Sequence, residues 1–99
     1  ADPLQLQQHR GQALALPGHS PGSIALFEER TGALFSGDVI YDDDLIDFLP
    51  DSSVPAYRLS MRRLENLEVS VVHPGHGRSF DQTRLRELAG DYLAQQAAR

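Results

Sequence analysis

Three apolar runs in this chain end in the same way. "LALPGHS" (14–20), "ALFSGD" (33–38) and "VVHPGHG" (71–77) each lead a β-favouring stretch into a glycine, and the residue after that glycine is His19, Asp38 or His76. Glycine lets the backbone turn sharply without a side-chain clash, and strand ends on one rim of a sheet lie close in space. Two imidazoles and one carboxylate converging there suit zinc or a similar divalent ion. Three ligands also leave open coordination positions for water, as a hydrolytic site requires. Taken singly, each residue has an ordinary reading. A histidine in a Pro-Gly turn is commonly a local hydrogen-bonder, and "SGD" is a common turn in which Asp38 would cap a loop. The threefold recurrence in the order His, Asp, His carries the metal reading. The other two histidines read differently: His73 lies within a strand and is expected to be packed or solvent-facing, and His9 sits in a hairpin turn.

Composition narrows the ligand chemistry. The 99 residues include no cysteine, which excludes disulfides and thiolate metal sites, so a metal must be held by histidine nitrogen and carboxylate oxygen. The net charge is −5, and Asp38, Asp42, Asp43, Asp44, Asp47 and Asp51 crowd one stretch. That field repels phosphate backbones, so no nucleic-acid partner is expected. With 40% hydrophobic and 23% charged residues, the chain fits one globular domain or part of one. No apolar run approaches the ~18 residues of a membrane helix, so no membrane association is expected. "ADPLQLQQHR" has no basic-then-apolar signal pattern, which leaves the cytoplasm as the default expectation.

The pattern predicts an α/β fold. Leu4 to Gln8 and Gln12 to Leu16 flank "HRG" as a hairpin, with Gly11 in the turn. Ser23 to Glu29, Ala33 to Ser36 and Val69 to His73 are further strands. Val54 to Glu68 has helical spacing in Val54, Tyr57, Met61 and Leu64, with Ser53 as N-cap and Pro55 in the first turn. Gln82 to Ala98 repeats the pattern through Leu85, Leu88, Ala89, Tyr92 and Leu93, with Asp81 as cap. "ALAL", "IALF" and "VSVV" are apolar on both alternating faces, which implies strands covered on both sides. Two amphipathic helices can cover only one face of a four- or five-stranded sheet. The other face is expected to need a layer that this chain does not contain, or a second copy of the chain.

The motifs "PGHSPGS", "FSGDVIY" and "VVHPGHG", spread over residues 17 to 77, resemble the C-terminal half of the metallo-β-lactamase superfamily, including glyoxalase II-like hydrolases. The resemblance implies a mixed sheet of about four or five strands with helices on one face, forming half of an αββα sandwich. It implies two metals at one edge, zinc by default with iron or manganese as alternatives. His19 would bind the first metal and His76 the second, and Asp38 would bridge both as the catalytic carboxylate. The implied reaction is cleavage of an ester, thioester or similar carbonyl bond in a small-molecule substrate by metal-bound hydroxide.

The superfamily signature H-x-H-x-D-H, which supplies the remaining ligands, is absent from these 99 residues. One gap therefore accounts for both the missing ligands and the missing layer. Residues 1–99 are expected to be the C-terminal half of such a domain, inactive alone. They would be completed by an N-terminal half, or by a second copy through the sheet face. An alternative is a metal-free, non-catalytic module that docks another chain through that face. A nuclease of the same superfamily is disfavoured by the acidic balance. The loop "YDDDLIDFLP" (41–50) looks closer to thioester-hydrolase branches than to antibiotic-degrading ones. In it, Tyr41 and Phe48 are candidate substrate contacts, with Leu45 and Leu49 beside them. The competing expectation is that Leu45, Ile46, Phe48 and Leu49 pack beneath the helix starting near Val54, leaving the aspartates solvated.

Overall fold

The computed structural model describes residues 11–97. Strand β1 (Gly11–Ala15) pairs antiparallel with β2 (Ile24–Glu28), and β2 pairs antiparallel with β3 (Ala33–Gly37). β3 then pairs in parallel with β4 (Val71–Pro74), giving a four-stranded mixed sheet in the order β1-β2-β3-β4. A parallel neighbour requires a crossover, and this one carries helix α1 (Val54–Glu65); helix α2 (Gln82–Ala97) follows β4. The strand expected over Leu4 to Gln8, and His9 in its turn, lie outside the described residues.

Both helices start where the sequence places them. Ser53 has extended backbone, and its hydroxyl accepts from the Ala56 N–H at 3.3 Å. Pro55 sits in the first turn, where its missing N–H costs nothing. Asp81 accepts from the Arg84 N–H at 2.9 Å. The strand ends shift by one or two residues from expectation, and Gly11, expected in the turn, lies in β1. Two boundary differences have a visible cause. α1 stops at Glu65 instead of Glu68, because the chain closes it there: the Asn66 N–H donates to the Arg63 carbonyl and the Leu67 N–H to the Leu64 carbonyl, each at 3.2 Å, and the Asn66 side-chain amide donates to the Arg62 carbonyl at 2.8 Å. β4 starts at Val71 instead of Val69, because Ser70 is drawn to the β2–β3 turn, its N–H donating to Gly32 O and its hydroxyl to Thr31 O.

The two helices cover the same side of the sheet. Leu14, Ala25, Leu34 and Val72 of the sheet are buried with Tyr57, Met61 and Leu64 of α1 and Leu85, Ala89 and Tyr92 of α2. Because strand side chains alternate in direction, the neighbouring residues face the other way. Ile24, Leu26 and Phe35 are 60%, 40% and 44% exposed there. The strands are thus apolar on both faces, as read from the sequence, while the described residues cover only one. His73 sits on the uncovered side, its ring 5.3 Å from that of Phe35 and its Nδ1 2.7 Å from the Ser79 hydroxyl. Among the described residues, no helix is long and apolar enough to cross a membrane.

Candidate metal centre

Each of the three candidate ligands follows a strand end whose backbone has few alternatives. Gly18 adopts φ +146, and a Cβ there would overlap the Cα of Tyr57 on α1, so only glycine fits. The α1 entry holds the next turn from above: the Ser53 N–H donates to Gly18 O at 2.7 Å and the Ser52 hydroxyl to His19 O at 2.8 Å. His19 therefore leaves β1 in a fixed direction. Its Nδ1 lies 3.2 Å from the Ile46 carbonyl. A carbonyl only accepts, so the ring proton belongs on Nδ1 and the Nε2 lone pair is free.

Asp38 follows Gly37, which has φ +53. The turn is closed by the Val39 N–H donating to Ser36 O at 2.9 Å and the Ser36 hydroxyl donating to Ile40 O at 2.8 Å. The hydroxyl of buried Tyr57 adds a third tie, donating to Val39 O at 2.6 Å. Burial pushes the Tyr57 hydroxyl far above its ordinary pKa, with the nearby tyrosines and the Asp47 and Asp38 carboxylates adding to the effect, so it keeps its proton and remains a donor. The Asp38 carboxylate is left exposed at the rim.

His76 is brought to the same rim through the main chain. The Gly75 N–H donates to Gly37 O at 2.9 Å, and a Cβ on Gly75 would lie 3.2 Å from the Gly37 carbonyl carbon. The missing side chain at Gly75 lets the ends of β3 and β4 touch, which sets Asp38 and His76 on adjoining turns. The His76 ring meets Tyr41 edge-on, with centroids 4.2 Å apart at 81°.

His19 and Asp38 line one cavity of about 330 Å³, together with Ser20, Ser23, Ile24 and Val39. His76 is outside that lining, its ring against Tyr41. Among the described residues, no three His, Cys, Asp or Glu side chains form a group that could hold a metal ion. The described residues therefore form no closed ligand set. The donors themselves suit a borderline divalent metal, being imidazole nitrogen and carboxylate oxygen. A histidine whose Nδ1 donates to a backbone carbonyl while Nε2 points free has the arrangement that metal-ligating histidines use.

The other named residues divide. Tyr41 is only 4% exposed, and its hydroxyl accepts from the Ile46 N–H at 3.1 Å. Burial raises its pKa, the Ile46 bond opposes that, and the carboxylates of Asp38, Asp43 and Asp44 raise it further. Phe48 is 79% exposed and Leu49 is exposed as well, so they do not pack beneath α1 as expected; Leu45 lies against the core, in a groove it shares with Leu88 and Tyr92 of α2. The physical reason is that the loop is anchored through polar atoms. Asp47 accepts from the Tyr92 hydroxyl and the Gln96 amide, each at 3.0 Å, and Asp42 pairs with Arg84 at 2.7 Å. Sequence reasoning missed Ile46, which acts through its main chain and carries no side-chain signal. It also missed Ser52, whose "DSS" context reads only as a helix start.

Comparison with known proteins identifies the family and the fold. The family model for the metallo-beta-lactamase superfamily matches residues 5–76. The acyl-coenzyme A thioesterase MBLAC2 of Gallus gallus is 41% identical over 97 residues, covering 94% of this chain and 35% of that protein. The crystal structure of TTHA1623 in a di-iron-bound form superposes with a TM-score of 0.68 at 36% identity, over 74% of this chain and 38% of that one. The metallo-beta-lactamase family protein TTHA1429 from Thermus thermophilus gives a TM-score of 0.76 at 25% identity, over 89% of this chain and 30% of that one. The chain spans about a third of the length of these proteins. The sheet and the helices on one face match part of one fold, and the family model spans most of the residues: the chain belongs to the metallo-beta-lactamase superfamily.

Proposed function

We propose that this chain forms part of the metal centre of a hydrolase that cleaves acyl thioesters, with an acyl-coenzyme A as the substrate class. The observation that carries the reading is the cavity shared by His19 and Asp38, with the His19 Nε2 left free by the Nδ1–Ile46 bond. His19 and His76 would each hold one cation, and Asp38, with two carboxylate oxygens, would span both. Zinc, iron and manganese all suit such donors. Bound divalent ions supply a water acidic enough to ionise near neutral pH and a Lewis acid for the carbonyl oxygen.

The thioesterase name of the MBLAC2 relative supports a thioester as the bond cleaved. Further ligands would come from an H-x-H-x-D-H segment in the rest of the protein, which would also cover Ile24, Leu26 and Phe35.

The test is hydrolysis of a long-chain acyl-coenzyme A by the intact, metal-loaded protein, followed by release of free thiol. Turnover is expected, falling by ~100-fold or more in His19→Ala and Asp38→Ala. A metal-loaded protein that releases no thiol overturns the thioesterase reading.

A further inference from the structure

Ile46 is used twice. Its N–H donates to the Tyr41 hydroxyl at 3.1 Å, and its carbonyl accepts from His19 Nδ1 at 3.2 Å. The Tyr41 ring meanwhile packs edge-on against His76 at 4.2 Å. One side chain, only 4% exposed, thus touches one candidate ligand directly and reaches the other through a single residue of main chain. We infer that Tyr41 is a positioning residue that sets both imidazoles, His19 through the Ile46 main chain and His76 through ring contact. The inference rests on the metal-centre reading of His19 and His76. It also replaces the expectation that Tyr41 touches substrate, since both the ring and the hydroxyl are already engaged within the protein.

The physical argument is one of tautomer and direction. A histidine binds metal through a neutral ring nitrogen, and the hydrogen bond at the other nitrogen decides which one is available. If the Ile46 carbonyl moves, the Nδ1 proton loses its partner and the ring can rotate or change tautomer, putting the proton on the metal-facing Nε2. What keeps that carbonyl in place on the near side is the Tyr41 hydroxyl, with the Asp43 N–H on Tyr41 O at 2.9 Å folding the segment around the same residue. On the far side, Asp47 is tied to Tyr92 and Gln96. A change at Tyr41 is therefore expected to act locally on His19 and leave the outer half of the loop anchored.

Two substitutions separate the two routes. Tyr41→Phe keeps the ring against His76 and removes the acceptor for Ile46. Tyr41→Leu removes both. The readouts, taken on the intact protein, are the ring tautomers of His19 and His76 in the metal-free state by long-range nitrogen–proton NMR, and the affinity for zinc by chelator competition. In the wild type, His19 is expected as the Nδ1–H tautomer. In Tyr41→Phe it should become a tautomer mixture, with zinc affinity about 10- to 100-fold lower and the His76 ring signals unmoved. In Tyr41→Leu both rings should shift. A merely structural role would lower the melting temperature but leave the His19 tautomer and zinc affinity of the folded protein as they were, and that result overturns the inference. Should either variant fail to fold, the wild type decides alone: an Nε2–H tautomer at His19 contradicts the proposal. A wild type with the expected tautomer but no zinc binding would instead overturn the metal-centre reading.

Discussion

His19 and Ile46, 27 residues apart in the chain, meet at 3.2 Å through the ring Nδ1 of one and the carbonyl of the other. This contact links the strand-end motif to the acidic loop and leaves the opposite ring nitrogen unengaged. On the proposed metal-centre reading it gives His19 two separable duties, holding the loop through Nδ1 and presenting Nε2 to a cation.

Asparagine can imitate the first duty but not the second, because its amide nitrogen stands about where Nδ1 does. His19→Asn is expected to keep the Ile46 bond and lose no more than about 1 kcal/mol of stability, while abolishing metal binding at that position. His19→Leu should lose both. Thermal unfolding alongside metal analysis of the two variants checks this.

Gly18 is predicted to tolerate no side chain and Gly75 to accept one only at a cost. A Cβ at Gly18 would overlap the Tyr57 backbone from a positive φ, and one at Gly75 would press on the Gly37 carbonyl. Gly18→Ala should cost about 3 kcal/mol or more, and Gly75→Ala about 1–3 kcal/mol. Gly22→Ala, where an added Cβ meets nothing within 4 Å, is the control, with an expected change within about 0.5 kcal/mol. Denaturant unfolding of the three variants makes the comparison.

The Asp42–Arg84 pair sets a pH dependence. Arg84 donates to the carboxylate through Nε at 3.1 Å and Nη2 at 2.7 Å, and these bonds hold the Asp42 carboxyl below its usual value. A depressed folded-state pKa means that the contribution is complete above the ordinary carboxylate range, about pH 4, and is lost as pH falls through the lowered value. Asp42→Asn should therefore be less stable than wild type at pH 7, with the gap closing on acidification toward pH 2. A gap that stays constant with pH would show that the pair contributes nothing through its charge.

Much of this arrangement was legible in the sequence, and its limits follow from what sequence patterns encode. Helix phase was visible because Tyr57, Met61 and Leu64 are apolar at helical spacing, whereas the strands were visible only as runs apolar on both faces, which does not tell the buried face from the other. The uncovered face was visible because Ile24, Leu26 and Phe35 are too apolar for a sheet surface facing water. The glycines before His19, Asp38 and His76 marked the turns. The loop was misread where main-chain and side-chain polar atoms do the anchoring. Phe48 looked like a packing residue from its composition, but Asp47 and Asp42 fix the segment. No pattern of side chains announces that the Ile46 carbonyl will be the partner of His19.

The uncovered sheet face yields a prediction about the intact protein. If a second layer lies over Leu26, Leu26→Asp buries an unpaired carboxylate and should cost roughly 3 kcal/mol or more. If the face remains in water, the same change should stay within about 0.5 kcal/mol. Sedimentation of the wild type then separates a layer from the same chain, which gives a monomer, from a second copy, which gives a dimer that Leu26→Asp dissociates.

The central claim is that the carboxylate of Asp38 and the imidazoles of His19 and His76 serve one metal centre. The most direct measurement is the metal content of the intact protein, wild type against Asp38→Asn, after saturation with zinc and removal of the excess. The wild type is expected to retain about two ions per chain, the number a bridging carboxylate serves, and Asp38→Asn to lose at least one of them while remaining folded. Equal metal content in the two proteins would contradict the account.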